Sequence, residues 1–327
     1  MQTTILSEKQ AKSFKKNFSE NTFVPIDDFV RWALYDSKIG YYSKSKVRVG
    51  KSSKTDFYTS SSFTEIWPRL IVESCINLIY PHSPSEYQFV EIAAEPYTSL
   101  LGKHPHPFSS FNVYRLGDEL EIPRRAIVYS NEWLDALPFK RFSFSKEQNH
   151  WLEHGVILRG QNIKEKKIHY TGHLPFEKVN QDIDGYVVDW PLEALGVISK
   201  LVSQSEWKGI FLTFDYGISL EDMLTNRPEG TARSYRNHKM IDNIFETPGD
   251  QDITCHICWD SIQNVLEQNF FDQIEIKSQE SFLFKNAGNT MKSIVDDGNQ
   301  KEKSALKELV HPHYMGHKFQ ALSARRL

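Results

Sequence analysis

Three short apolar runs constrain the fold of this chain more than anything else in it: "YQFVEIA" (87–93), "RAIVY" (125–129) and "GIFLTFDYG" (209–217). Each is rich in aromatic and aliphatic residues and ends at polar or glycine residues, the pattern of a buried strand. Segments of helical spacing lie between and after them. "LEALGVISKLVSQSEW" (192–207) sets Leu192, Leu195, Ile198, Leu201 and Val202 on one face. "SIQNVLEQNF" (261–270) and the stretch from "DALPF" (135–139) onward also read as helices. Strands alternating with helices predict an α/β fold with a mostly parallel sheet. "QIEIKSQESFLFKN" (273–286) predicts two further strands that close the sheet as an antiparallel C-terminal hairpin.

The N-terminal part reads as a helical elaboration. "PIDDFVRWALYD" (25–36) places Ile26, Phe29, Val30, Ala33 and Leu34 on one face, with Pro25 at the first turn. "FTEIWPRLIVESCINLIY" (63–80) is helical and apolar, and "DDGNQKEKSALKELVHP" (296–312) is a charged, exposed helix. "GYYSKSKVRVGKSSKTDFYTSSSF" (40–63) is loop chemistry, long enough to be either mobile or shaped by a partner. Without repeats or low-complexity linkers, the expectation is one domain over 1–327. Residues 1–85 form its helical elaboration and 86–327 its α/β core, with an inserted loop around 218–250.

Charge and cysteine usage narrow the setting. A net charge of -3 gives no general pull toward nucleic acid or anionic membrane. No apolar stretch approaches the ~20 residues of a membrane helix. "MQTTILSEKQAKSFKKNF" lacks the apolar core of a signal peptide, and three cysteines suit a reducing cytoplasm, so a cytoplasmic protein is expected. The aromatic-rich N-terminal helices suggest a homodimer.

Open α/β sheets bind ligands outside the carboxyl ends of their strands. Glu91 lies in the first run, Asp215 ends the third, and Asn131 and Glu132 follow the second. Such residues either line a pocket or cap the next helix. "CHIC" (255–258) has the spacing of a metal half-site or redox pair, but the remaining cysteine, Cys75, is far away, and packing is the better reading. "HPHPF" (104–108) and "HPHYMGHKF" (311–319) read as surface loops, so no metal site is expected. "GTARSYRNHK" (230–239) is either a solvated loop or a clamp for an acidic group or a partner protein.

Taken in order, these pieces resemble the MidA family of methyltransferase-fold proteins, which includes the mitochondrial complex I assembly methyltransferase. The resemblance rests on "FVRWALYDSKIGYYS" (29–43), "DFYTSSSFTEIW" (56–67), "NEWLDALPFKRF" (131–142), "WLEHGV" (151–156), "DYG" (215–217), "GTARSYRNH" (230–238), "PGDQDITCHICW" (248–259) and "MGHKFQAL" (315–322). It implies a class I (Rossmann-like) methyltransferase sheet, S-adenosylmethionine as cofactor, and a protein arginine as substrate. Asn131, Glu132 and Asp135 would then orient the guanidinium as catalytic residues. Tyr41, Tyr42, Thr59, Asp215, Tyr216, Arg233, His238 and Asp252 would face the substrate or a protein partner.

One motif departs from the family. The glycine-rich turn "ExGxGxGxL" here reads "EIAAEPYTSL", with Glu91 kept and Ala93, Glu95 and Tyr97 at the three glycine positions. Glycine allows a tight turn and close approach to a cofactor. Glu95 would bring a carboxylate to the cofactor's own carboxylate, and Tyr97 would send a ring toward its space. No counterpart is legible before Asn131 for the family's following helix, its second strand or the acid that holds the ribose; Asp118 and Glu119 stand in the wrong context. Two readings follow. One is a non-catalytic assembly factor that grips a protein through the acceptor site. The other is an active protein arginine methyltransferase with an atypical cofactor pocket.

Overall fold

The computed structural model describes residues 3–44, 48, 58–102, 104–176, 179, 182–204, 207–241 and 243–327. Most of the long polar loop, 45–47 and 49–57, therefore lies outside the described residues. Where the sequence drew one domain, the chain divides into two compact units, each built from three segments: 1–45, 134–196 and 217–261 form one, and 46–133, 197–216 and 262–327 the other.

The second unit carries a six-stranded sheet. Its strands are β1 (Gln88–Ile92), β2 (Ser110–Tyr114), β3 (Arg125–Asn131), β4 (Lys208–Asp215), β5 (Asp272–Ser278) and β6 (Gln320–Arg326), in the spatial order β5-β6-β4-β3-β1-β2. The run β2-β1-β3-β4 is parallel, while β6 is antiparallel to both β4 and β5. The three apolar runs are its central strands, and Phe89, Ile127, Tyr129, Leu212 and Phe214 pack into one core with Trp67, Leu70 and Ile71 of the helix Trp67–Ile79. The sheet is mixed, so the mostly parallel expectation describes only four of its strands.

Two readings need correction here. The predicted C-terminal hairpin is not one: "QESFLFKN" forms the helix Gln279–Asn286, and β6 arrives only at residue 320. The Ser278 hydroxyl caps that helix, accepting from the Ser281 N–H at 3.2 Å, and Phe282, Leu283 and Asn286 are buried at helical spacing. The second strand of the family sheet is also present, as β2, paired in parallel with β1 from Gln88↔Ser110 to Ile92↔Tyr114. What is absent among the described residues is a helix between β1 and β2.

The first unit is built on an antiparallel sheet. Its strands run in the order Thr3–Ile5, Asn162–His169, His150–Arg159, Lys140–Ser145, Val187–Trp190, with Val24–Pro25 added to His150–Arg159. Thus "DALPF" leads into a strand and not a helix, and the N-terminal elaboration contributes strands as well as helices. The helix Ile26–Tyr35 buries the five residues expected of its face. The stretch around 218–250 is not a loop. It holds the helix Leu220–Thr225 and a hairpin of Arg233–Arg236 with Lys239–Ile241, the former paired on its other side with Asp252–Thr254.

Candidate functional site

In the second unit, β1, β3 and β4 bring Glu91, Asn131, Glu132 and Asp215 to one sheet edge, the carboxyl edge of parallel strands. The turn leaving β1 keeps a glycine-like path without glycine: Ala93 has φ 60° and Tyr97 φ 66°. For a residue with a side chain, that region costs about 1–2 kcal/mol. Three neighbouring side chains hold the turn. The buried Glu91 carboxylate accepts the Leu100 N–H at 2.7 Å. Burial pushes its pKa up to about 7, against the pull of the Leu100 amide and the Arg115 guanidinium.

Glu95 and Arg115 complete the stitching. Arg48, only 1% exposed, donates to the Glu95 carboxylate at 3.2 Å. Burial raises the Glu95 pKa, and Arg48 opposes the rise. Arg115 directly follows β2. Its guanidinium donates to the Thr98 carbonyl at 2.7 Å and the Glu95 carbonyl at 3.4 Å, while its amide donates to Asp118. The Tyr97 ring is 85% exposed and does not fill a cleft.

The other two strand ends are locked together. Glu132, at φ 51°, donates its N–H to the Phe214 carbonyl at 2.8 Å, and its carboxylate accepts from the Asn131 side-chain amide at 2.8 Å. The buried Asp215 carboxylate accepts the Trp133 N–H at 3.2 Å and the Tyr216 N–H at 2.9 Å, so it fixes the corner between β3 and β4. The Tyr216 ring tilts onto Phe319. Two buried oxygens, Oδ1 of Asn131 and Oγ1 of Thr59, have no hydrogen-bond partner among the described residues.

Asp135, Tyr41, Tyr42, Arg233, His238 and Asp252 belong to the first unit. Asp135 and Asp252 are buried there. Tyr42 stacks on Tyr35 at 5.5 Å and meets Tyr41 edge-on at 5.1 Å. Burial drives the Tyr35 and Tyr42 hydroxyls well above their ordinary pKa, and the Asp252 and Asp135 carboxylates push the same way. Tyr235 is raised by burial and by the same two acids. Tyr35, whose hydroxyl donates to the Ala136 carbonyl at 2.9 Å, and Tyr235 were not legible as site residues. Only the pattern "RSYR" hinted at the latter. Carboxylates set among tyrosine rings suit a guanidinium or ammonium group.

The basic stretch beside these acids is built, not floppy. The fully buried Asp189 accepts from Arg141 Nε at 2.6 Å and Nη2 at 3.0 Å, and from the N–H groups of Thr231 and Ala232 at 2.7 and 2.8 Å. Burial opposes its charge, yet Arg141 and the two amides hold the carboxyl below its usual range. Gly230, at φ +73°, is required here, since a Cβ would lie 2.3 Å from the Asp189 carboxylate. Asn237 and His238 both take positive φ at the hairpin tip, which leaves His238 exposed. Cys255 and Cys258 are buried thiols, raised in pKa by burial, and among the described residues no group of His, Cys, Asp and Glu is arranged to hold a metal.

Against known proteins, residues 82–275 match the family described as "Putative S-adenosyl-L-methionine-dependent methyltransferase". The chain belongs to that family. MidA is a member too, so the sequence resemblance stands. Two solved structures, both from Burkholderia thailandensis, share the fold. One, a methyl-transferase candidate bound to S-adenosyl-homocysteine, is 18% identical, with 97% of this chain and 90% of that chain covered and a TM-score of 0.78. The other, an uncharacterized protein of the same superfamily, is 17% identical over the same shares, with a TM-score of 0.73. S-adenosylmethionine is thus the cofactor of the methyltransferase family to which this fold belongs, and no described helix is long and apolar enough to cross a membrane.

Proposed function

We propose that this methyltransferase-family protein holds an arginine-bearing segment of a protein partner without transferring a methyl group to it. The observation that carries this reading is the turn after β1, closed on itself by Glu91, Arg48 and Arg115. When bound, S-adenosylmethionine supplies an electrophilic methyl group on a sulfonium. Its carboxylate and ribose hydroxyls ask the protein for donors near the turn and for an acid after β2. This chain offers a carboxylate at Glu95 and, after β2, a cation whose donors already serve turn carbonyls. The residues present do not fit the group. Each lost charge-assisted contact costs ~1.5–3 kcal/mol, enough together to move a micromolar ligand to millimolar.

The acceptor-side residues support partner binding. Asp135 and Asp252, set with Tyr35, Tyr42 and Tyr235, would receive the guanidinium, and the ordered segment from Gly230 to Arg236 would contact acidic residues around it. The second reading, an active protein arginine methyltransferase, is favoured by one observation: the turn keeps positive φ at Ala93 and Tyr97, and the Tyr97 ring points out to solvent. Arginine-rich peptides, followed by anisotropy and mass spectrometry, separate the two. The expected result is binding that does not depend on S-adenosylmethionine, weakened at least about tenfold in D135N/D252N, with no methylated product. A peptide gaining one methyl group would overturn it.

A further inference from the structure

The opposite edge of the parallel sheet carries a second feature. Where β1, β3 and β4 begin, a cavity of about 520 Å³ is lined by Glu86, Gln88, Arg124, Arg125 and Lys208. Strand register puts Lys208 directly opposite Arg125, and the Lys208 N–H donates to the Arg124 carbonyl at 2.8 Å, so three cations are held at one spot by sheet pairing. Glu86 pairs with Arg125. Arg124 and Lys208 have no ion pair with a described residue. Like charges set opposite each other on neighbouring strands repel, and Glu86 offsets only one of the three cations here.

We infer that this cavity is an anion site for a small phosphate-bearing molecule. Three cations against one carboxylate leave a net charge of about +2. The guanidinium forks of Arg124 and Arg125 match phosphate oxygens, and the Gln88 amide adds donors. The volume falls in the range of ~300–1,000 Å³ typical of small-molecule pockets and exceeds what a single phosphate fills. The length of β3, from Arg125 to Asn131, separates the site from the Glu91 and Asn131 edge, a span of roughly 20 Å. The site shares no residue with the Glu91 and Asn131 edge.

Calorimetry on the full chain with inorganic pyrophosphate tests the assignment, with inorganic phosphate and poly-glutamate as competitors at low ionic strength. Saturable one-to-one binding is expected, at least about tenfold weaker in R124A/K208A and tighter in E86Q. In the unliganded protein K208Q should unfold no earlier than wild type, because it removes a repulsion, and pyrophosphate should raise the wild-type Tm but not that of R124A/K208A. Equal, weak uptake of phosphate and pyrophosphate in all variants would mean an adventitious ion only and overturn the proposal. So would poly-glutamate binding more tightly than pyrophosphate, which would mark an acidic-peptide surface instead. Should R124A/K208A fail to fold, pyrophosphate-induced shifts of the arginine side-chain resonances in the wild type give the same decision.

Discussion

The turn after β1 and the acids near Tyr35 and Tyr42 treat charge differently. In the turn, Glu95 has its cation in Arg48, and Nε and Nη2 of Arg115 donate to the carbonyls of Glu95 and Thr98. Near Asp135 and Asp252, burial raises three tyrosine hydroxyls, and the two carboxylates add to the rise. One region pairs its acid with a cation; the other sets two buried acids near three tyrosines. The turn also separates path from chemistry. Its backbone runs through the left-handed region at Ala93 and Tyr97, although the residues there carry a methyl and a ring.

The comparison breaks most readily by reversing the turn. A93G, E95G and Y97G combined with R115D should raise affinity for S-adenosyl-homocysteine at least about a hundredfold by titration, since several contacts of ~1.5–3 kcal/mol return together. On the receiving side, R141A leaves the Asp189 carboxylate buried without its guanidinium. It should cost about 3–5 kcal/mol in urea unfolding and disorder the segment from Gly230 to Arg233 in hydrogen exchange. The turn acid gives a pH signature. The folded Glu91 pKa of about 7 lies above the ordinary 4.5, so the folded state binds more protons in that window. Stability should fall as pH rises from about 4.5 to 7, by roughly 3 kcal/mol at most, and E91Q should abolish that fall.

His256 supplies the opposite slope in the other unit. Burial, aided by Arg227 and Arg233, lowers its pKa from 6.5 to about 4. The unfolded chain then binds the extra proton, so stability should be lost as pH drops from about 6.5 toward 4, and H256Q should flatten that limb of the unfolding curve. The smallest effect belongs to Ala93. A93G should stabilise by about 1 kcal/mol, because the left-handed residue no longer carries a Cβ.

Much of the fold was legible because burial writes itself into short-range pattern. The three apolar runs became β1, β3 and β4, and the face of Ile26–Tyr35 follows helical spacing. In Leu192–Ser203, Ile198, Leu201 and Val202 are buried, but Leu192, at the first turn, is exposed. The misses share a physical cause. "ESFLFKN" has strand-like composition, and only the Ser278 cap and packing of Phe282 and Leu283 decide for helix. "FNVY" is too short and too exposed to announce a strand, yet pairing with β1 makes it β2. In the site, Asp215 was visible as a strand-end acid, but its task of holding two amides depends on the register of β3 and β4. Arg48 and Arg115 were invisible as partners of the turn, because ion pairs and carbonyl contacts across 47 and 17–20 residues leave no local pattern.

The proposal that the turn after β1 no longer takes the methyl donor is tested most directly by titrating the full chain with S-adenosyl-homocysteine and S-adenosylmethionine in a calorimeter. Neither should bind more tightly than about 1 mM. A saturable isotherm with a Kd below about 100 µM would contradict it.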